Sequence, residues 1–189
     1  MNVWGLTACH NRCDATMRCL ASLYRSAEAA ECEISICLVD DGSSDQTVPV
    51  VREAYPQVRI LSGDGSLYWA GGMRYGWEQV LKAQHPDLLL VFNNDIEVRE
   101  DAVGRILETS RHLEQRGISA YAIAGAFQDP TSGKTTYGAV KRIVNWKDFS
   151  FVKLDPGPDM QEADTLNMNM ALISGDALKR TDFLNPRFR

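Results

Sequence analysis

The feature that most constrains the fold is the run Leu88-Leu89-Leu90-Val91-Phe92, which is followed directly by Asn93-Asn94-Asp95. Five consecutive apolar residues between Pro86-Asp87 and a polar triplet are typical of a strand that is buried on both faces. Such strands lie at the centre of parallel sheets, and ligands of open α/β sheets bind just beyond the carboxyl ends of the strands. The run therefore predicts a central strand that presents Asp95 at a site. The alternative is that the triplet is only a polar turn.

Strand and helix patterns alternate along the first two thirds of the chain. Apolar runs predict strands at residues 3–9, 34–39, 58–61, 88–92, 120–127 and 165–173, and helical spacing predicts helices beginning near Asp14, Ser43 or Ser44, Gly72, Glu100 and Gly175. The alternation indicates an α/β fold with a mostly parallel sheet and helices on both faces. Beyond Phe127, turn residues and alternating polarity predict hairpins, and hence a smaller mixed or antiparallel C-terminal part.

The length and composition are those of one globular domain. The chain has 189 residues, of which 44% are hydrophobic and 24% are charged, with a formal net charge of −5. The acidic balance argues against a nucleic-acid partner. No apolar run approaches the ~18 residues of a membrane span, and the first residues lack the features of a secretory signal. We therefore predict a cytoplasmic chain.

The cysteines are predicted to be reduced thiols. There are five of them, an odd number, and no two have the spacing of a metal-binding pair: Cys9, Cys13, Cys19, Cys32 and Cys37. Burial as small apolar side chains is the interpretation that we favour over a disulfide or metal role.

Polar groups follow three of the predicted strands. These groups are His10-Asn11-Arg12, Asp40-Asp41 and Asn93-Asn94-Asp95. The carboxyl ends of parallel strands point the same way, so we expect the three groups to converge on one crevice. Taken singly, the Asp pair could instead cap a helix, and His10 could be a satisfied core histidine.

Two further features fit an anionic ligand with a divalent cation. Mg²⁺ or Mn²⁺ is commonly held by one or two carboxylates together with substrate phosphates, and Asp95 beside Asn93 and Asn94 suits that task. Gly71-Gly72 before a predicted helix would allow a phosphate to approach the backbone closely. Arg74 would add a positive charge, although a solvated surface arginine is the alternative.

In this order, the segments resemble the signature of family-2 glycosyltransferases with the GT-A fold. The matching blocks are Ala8 to Arg12, Leu38 to Asp45, Trp69 to Arg74, Phe92 to Asp95, and Met170 to Leu178 followed by Phe183 to Phe188. The resemblance spans residues 3 to 188 and is closest to the rhamnosyltransferase-like or capsule and cell-surface polysaccharide type.

The resemblance implies roles for individual residues. His10 would stack on the nucleotide base, Asp41 and Asp40 would accept hydrogen bonds from base or ribose, and Asp95 would hold the Mg²⁺ or Mn²⁺ that bridges the phosphates. The full predicted nucleotide-binding set is Ala8, His10, Asn11, Arg12, Asp40, Asp41, Gly71, Gly72, Arg74, Asn93 and Asn94. Residues 1–127 would form the nucleotide-binding half of a single domain over 1–189, and residues 128–189 the start of an acceptor half.

The sequence departs from the family pattern in two places. Asn93 replaces the first acid of the Asp-x-Asp motif, and Tyr75 stands where many relatives have Asn. Residues 183–188 resemble the family segment that comes directly before the catalytic base. We therefore expect the polypeptide to be incomplete and the base to lie beyond Arg189. Asp129, Asp164 and Asp176 are weaker candidates.

The predicted function is sugar transfer from a UDP- or dTDP-linked donor to an acceptor hydroxyl, inverting and metal-assisted, in cell-surface polysaccharide synthesis. A carbohydrate or lipid-linked acceptor could bring the chain to the inner face of the membrane. One rival is a sugar-phosphate nucleotidyltransferase, which would need a Gly-rich loop with a basic residue after the first strand. A phosphoacceptor signalling domain would need its Asp pair after the first strand. A non-catalytic sugar-nucleotide-binding module remains the third alternative.

Overall fold

The computed structural model describes residues 1–145, 148–157 and 159–181. The strands are β1 (Val3–Cys9), β2 (Ile34–Asp40), β3 (Arg59–Ser62), β4 (Leu88–Phe92), β5 (Ala122–Ala124), β6 (Phe127–Gln128), β7 (Thr135–Tyr137), β8 (Ala139–Asn145), β9 (Asp148–Lys153), β10 (Thr165–Leu166) and β11 (Met170–Ser174). The helices are α1 (Cys13–Ala29), α2 (Thr47–Ala54), α3 (Tyr68–Gln84), α4 (Ala102–Gln115) and α5 (Gly175–Leu178).

The main sheet has six strands in the order β3-β2-β1-β4-β11-β5. The first four of these are parallel, and β11 runs antiparallel between β4 and β5. The predicted α/β fold with a mostly parallel sheet is therefore confirmed. Because β1, β2 and β4 end at the same edge of the sheet, we call that edge the site edge.

Helices cover both faces of the sheet, as the sequence predicts. Leu88, Leu90 and Phe92 of β4 pack in the cluster that contains the apolar faces of α1, α2 and α4. Leu89 and Val91 point to the opposite face, where they pack with residues of α3 and α5. All five residues of β4 are buried, so the prediction of a central strand with two buried faces is confirmed.

Four helices begin at residues other than those predicted, and one of them is α4, which begins at Ala102 rather than Glu100. α3 begins at Tyr68 rather than Gly72, because the Asp41 carboxylate accepts the Tyr68 N–H and fixes the helix start four residues earlier. α2 begins at Thr47, where Asp45 rather than Ser43 or Ser44 accepts the first N–H at 2.9 Å. α1 begins at Cys13, so Asp14 lies in its first turn instead of capping it.

The C-terminal part differs in detail from the predicted strands. Within the predicted strand at 120–127, only β5 and Phe127, the first residue of β6, are in strands, and the predicted strand at 165–173 is divided into β10 and β11. The division arises because β10 pairs with β8 whereas β11 pairs with β4, so the chain must turn between them. The hairpins β6–β7 and β8–β9 confirm the change of pattern beyond Phe127.

The cysteines are all reduced, and three are buried. Cys9, Cys19 and Cys37 lie in the core, while Cys13 and Cys32 are half-buried. The thiol prediction is therefore confirmed in redox state and, for three of the five, in burial. None of the helices in the described ranges has both the length and the apolar composition needed to cross a bilayer.

Candidate functional site

The site edge brings together the polar groups that follow β1, β2 and β4. His10 Nδ1 lies 2.6 Å from the carbonyl oxygen of Asp41, which joins the ends of β1 and β2. Arg12 Nη1 donates to Oδ2 of Asp95, which joins the ends of β1 and β4. The predicted convergence of the three strand ends is therefore observed.

His10 is an exposed residue with a fixed orientation, not a core histidine. The carbonyl oxygen of Asp41 can only accept a hydrogen bond, so Nδ1 must carry a proton. Nε2 lies 3.0 Å from Nδ2 of Asn11, and it accepts from that amide when the ring is neutral. The two contacts hold the imidazole in one tautomer at the site edge.

Asp41 is a buried carboxylate that organises the loop before α3. Its Oδ1 accepts the N–H of Gly65 and its Oδ2 accepts the N–H of Tyr68, both at 2.9 Å. The residue is only 5% exposed. A Cβ added to Gly63 would lie 2.5 Å from Oδ1 of Asp41, so the close approach of this loop requires glycine there. Tyr68 adopts a φ of 52°, an uncommon conformation for a bulky residue.

Asp40 is also buried, and its carboxylate bonds to residues close to it at the ends of β1 and β2. Its Oδ2 accepts the N–H of Ser43 at 3.2 Å, and its Oδ1 accepts from the thiol of Cys9 at 3.5 Å. Burial, together with the charge of Asp40, raises the pKa of the Cys9 thiol well above its ordinary value. Cys9 therefore stays protonated and acts as the donor in this contact.

Asn11 fastens the end of β1 to the loop after β2. Its Oδ1 accepts the N–H of Ser44 at 2.7 Å and that of Asp45 at 3.2 Å, and its own N–H donates to Ser43 Oγ at 2.9 Å. Asn11 has a φ of 51°, which Asn tolerates better than most residues. The loop after β2 is thereby held against the site edge.

The glycines of α3 have a different place from the one predicted. Gly71 and Gly72 lie inside α3 and not before it, so neither marks a helix N-terminus. A Cβ on Gly72 would come 3.2 Å from Cβ of Ala8, which shows that these two residues pack helix against strand. Arg74 is half-buried and lies in the second turn of α3 rather than the first.

Asp95 is the exposed carboxylate of the site. Its side chain is 43% exposed, and its ion-pair partner Arg12 is 54% exposed. No group of three or more His, Cys, Asp or Glu residues able to hold a metal ion occurs in the described part of the chain. One accessible carboxylate that already holds a cationic partner fits a divalent ion completed by phosphates and water, and it does not fit an all-protein metal cage.

Asn93 and Asn94, the neighbours of Asp95, point in different directions. Asn93 Oδ1 accepts from Trp69 Nε1 at 3.0 Å, and its Nδ2 donates to Oδ1 of Asn169 at 3.1 Å. Asn94 is buried, and its amide donates to Thr16 Oγ1 on α1 at 2.9 Å. The expectation that both amides flank the Asp95 carboxylate as oxygen neighbours is therefore wrong for Asn94.

Sequence reasoning did not select Trp69, Asn169 or Ser43 as site residues. Trp69 and Asn169 hold Asn93 from two sides, and Ser43 receives the N–H of Asn11. An aromatic side chain two residues before the Gly71-Gly72 pair was an available signal for Trp69. Asn169 carried no such signal, because it falls within a run that predicts one continuous strand.

None of the three candidate bases contacts Asp95 in the described residues. Asp176 lies at the opposite edge of the sheet, because β11 is antiparallel to β4 and Ser174 pairs with Leu88. Asp176 is thus wrong as a base. The Asp129 carboxylate accepts from Ser132 within its own turn, and these bonds lower its pKa. Asp164 accepts the Arg142 N–H at 2.7 Å. The segment 183–188 lies outside the described residues.

Comparison with known proteins gives a family and a fold. The model of the family described as glycosyl transferase family 2 matches residues 6–172. No curated protein matches the chain.

Solved structures match 72% to 100% of the chain. TarS residues 1–349 from S. aureus is 13% identical, with a TM-score of 0.62, and the match covers 100% of this chain and 51% of that 1–349 chain. The mannosyltransferase PcManGT from Pyrobaculum calidifontis, solved with GDP-Man and Mn²⁺, is 15% identical, with a TM-score of 0.55 and coverages of 95% and 46%. TarS 1–349 in complex with UDP matches 72% of this chain and 39% of its own, at 14% identity and a TM-score of 0.53. The chain thus spans about half the length of the first two structures, and at these identities the likeness concerns the fold, which is GT-A as predicted.

Proposed function

Because the chain belongs to glycosyl transferase family 2, we propose that it transfers a sugar from a nucleoside-diphosphate donor to an acceptor hydroxyl. The observation that carries the proposal is the convergence of His10 and Asp41 with Arg12 and Asp95 at one edge of the sheet. One pair supplies an oriented ring beside a buried acid, and the other supplies a cation and an accessible carboxylate. The ring and the buried acid suit a nucleotide base, and the cation and the accessible carboxylate suit a diphosphate with its metal ion.

At the nucleoside end, we propose that His10 stacks on the base of a UDP- or dTDP-linked donor. The imidazole is exposed and held by two hydrogen bonds, so stacking would cost little side-chain entropy. Each carboxylate oxygen of Asp41 accepts one hydrogen bond from a backbone N–H group. Each carboxylate oxygen can accept more than one hydrogen bond, so Asp41 keeps capacity for a donor group of base or ribose.

At the diphosphate end, the residues fit a divalent cation, and Asp95 would hold it as Mg²⁺ or Mn²⁺. Such an ion supplies electrostatic stabilisation of the charge that develops on the leaving diphosphate. Asn93 positions the end of β4, because its amide bonds to Trp69 and to Asn169 from opposite sides. Arg12 offers a planar set of N–H donors that suits phosphate oxygens.

We place the acceptor beside the C-terminal hairpins. Residues 167–169 lie at the site edge, where the Asn93 N–H donates to the carbonyl of Asn169 at 3.0 Å. The same segment contacts the start of β8, because the Asn167 N–H donates to the carbonyl of Gly138 at 3.0 Å. An acceptor hydroxyl arriving there would need a carboxylate to take its proton, which is the role of the base in an inverting transfer.

The experiment that tests the proposal is titration calorimetry of UDP and dTDP with and without Mn²⁺. Asp95→Ala is expected to abolish the metal-dependent part of nucleotide binding and leave the fold intact, because the side chain is exposed at a strand end. Asp101→Asn is the matched control, since Asp101 is an exposed partner of Arg99 and Arg105 on another part of the surface. Metal-dependent affinity that is the same in Asp95→Ala and the native chain would refute the assignment. Hydrolysis of a bound donor would distinguish an enzyme from a binding module.

A further inference from the structure

The carboxylate proposed to hold the divalent cation is already paired with a guanidinium. Arg12 Nη1 donates to Oδ2 of Asp95, and the two residues come from the ends of different strands. A divalent ion at Asp95 and the Arg12 guanidinium would be like charges on one carboxylate, and at contact distance they repel. The observed pair and a metal-bound Asp95 are therefore competing states.

We propose that Asp95 exchanges partners when donor and cation bind: Arg12 leaves the carboxylate and moves to the diphosphate. The inference rests on the proposed function. In the free protein, Arg12 neutralises the charge of Asp95. In the loaded protein, the same guanidinium bonds the phosphates. Arg12 is then a positioning residue in the first state and a binding residue in the second.

The exchange costs little because the pair is exposed. The side chains of Arg12 and Asp95 are 54% and 43% exposed, and ion pairs of that kind contribute weakly to stability. The backbone of Arg12 is anchored independently, since its carbonyl accepts the N–H of Thr16 at 2.9 Å in the first turn of α1. The side chain can therefore change partner while the helix start stays in place.

The position of Arg12 also places it near the proposed diphosphate. Arg12 is two residues beyond His10, which is hydrogen-bonded to the carbonyl of Asp41 at the proposed nucleoside end. It contacts Asp95 at the proposed metal end. A diphosphate that joins a nucleoside at His10 to a cation at Asp95 would therefore pass close to Arg12. A guanidinium with five N–H donors can bond two phosphate oxygens at once.

The test is Mn²⁺ binding, measured by the paramagnetic resonance signal of the unbound ion at low salt. Five proteins are compared: the native chain, Arg12→Gln, Arg12→Lys, Asp95→Asn and the control Arg99→Gln. Without nucleotide, Arg12→Gln is expected to bind Mn²⁺ roughly two- to fivefold more tightly, because the competing charge is gone. Arg12→Lys keeps the charge and should stay near the native value. Arg99→Gln, which removes the arginine from another exposed pair, should change nothing.

With nucleotide, the direction reverses. At saturating Mn²⁺, Arg12→Gln is expected to bind UDP about three- to tenfold more weakly, because a charge-assisted contact with the diphosphate is lost. Thermal unfolding of each variant checks that the fold is retained. A structural role alone would shift both affinities in the same direction.

The outcomes separate the exchange from the proposed function. Unchanged or weaker Mn²⁺ binding by folded Arg12→Gln without nucleotide overturns the exchange. Tighter Mn²⁺ binding with unchanged UDP affinity overturns the movement of Arg12 to the diphosphate. If Asp95→Asn binds Mn²⁺ as well as the native chain does, the metal site of the proposed function fails, whatever Arg12 does.

Discussion

Asp41 links the proposed nucleoside end of the site to the stability of the protein. Its two oxygens accept N–H groups from Gly65 and Tyr68, and its carbonyl accepts from His10. The carboxylate is buried, so an unsatisfied partner there would be costly. The side chain of Asp41 thus fixes the loop after β3 and the first residue of α3, and the backbone carbonyl of the same residue fixes the orientation of the imidazole.

Asp41→Asn is expected to lower both stability and nucleoside affinity. An amide can accept with one oxygen only, and its NH₂ group would face a backbone N–H, so we expect a loss of about 1–3 kcal/mol in the free energy of unfolding. Urea denaturation measures this loss, and calorimetry with UDP measures the affinity. His10→Ala is the comparison, because loss of this exposed ring should reduce the affinity for UDP with little effect on stability. Native stability in Asp41→Asn would contradict the role of the carboxylate in the loop.

Asp45 gives the protein a defined acid sensitivity. Its Oδ1 accepts from the hydroxyl and the N–H of Thr47, and its Oδ2 accepts the N–H of Cys13. The bond from the Thr47 hydroxyl is the largest of the causes that lower the pKa of Asp45 from its ordinary value of 3.8. A depressed pKa contributes stability that is present above pH 3.8 and is lost as the pH falls through the lower folded value.

We therefore expect the advantage of the native chain over Asp45→Asn to depend on pH. The difference in unfolding free energy should be full at pH 7 and should shrink as the pH is taken below 3.8. Denaturant titrations of both proteins at neutral pH and near pH 3 measure it. An equal difference at the two values would show that the contacts of Asp45 do not depend on its charge.

At the residue scale, the sequence predicted positions better than orientations. Asp40, Asp41 and Asp95 could be placed at strand ends because the apolar runs before them set where each strand stops. Their exposure could not be predicted, because it depends on partners distant in the chain. Asp41 is buried by N–H groups of residues 65 and 68, whereas Asp95 meets only the exposed Arg12 among the hydrogen bonds described.

The element that differs most from its prediction is α3. The sequence predicts a helix from Gly72 onward, yet the helix begins at Tyr68 with a φ of 52°. Helix propensity and spacing carry no information about the Asp41 carboxylate that receives the Tyr68 N–H. Gly72 and Gly76, one helical turn apart, instead let α3 lie close to β1 and β2. A Cβ on Gly76 would overlap Leu6 and would lie 2.7 Å from Cγ2 of Val39.

Gly76→Ala is expected to destabilise the protein by about 1–3 kcal/mol, because Leu6 and Val39 are fully buried and must move. Gly104→Ala on α4 is the matched control. Its nearest neighbour, Cβ of Ala30, is at an ordinary contact distance of 3.7 Å, so this change should stabilise by roughly 0.4–1 kcal/mol. Urea unfolding of both variants gives the two signs. A Gly76→Ala protein as stable as the native chain would show that α3 can move away from the sheet.

At the scale of the whole molecule, the sequence predicted the strands of the main sheet better than it predicted their order. The alternating first part predicted the parallel strands, but nothing local in residues 165–173 indicated that β11 enters the sheet between β4 and β5. That placement depends on two antiparallel pairings, with β4 on one side and β5 on the other. It makes the division into a nucleotide-binding half at 1–127 and an acceptor half a prediction about function and not about folding.

We expect residues 1–127 alone not to fold cooperatively. Without β11, β4 would expose an unpaired edge made of fully apolar residues, which is a template for aggregation. Size-exclusion chromatography and thermal circular dichroism of the fragment and of residues 1–181 provide the comparison. A monomeric fragment with a sharp unfolding transition would mean that the nucleotide half is autonomous.

The late arrival of β11 also has a consequence during protein synthesis. β4 leaves the ribosome long before Met170–Ser174 is translated, and elongation proceeds at about 5–20 residues per second. For several seconds, the most apolar strand of the nascent chain therefore lacks the neighbour that completes its pairing. The strands β6, β7 and β8 are encoded within this interval, so slower translation of residues 127–145 should lengthen it and increase the demand for chaperones even though these three strands lie outside the main sheet.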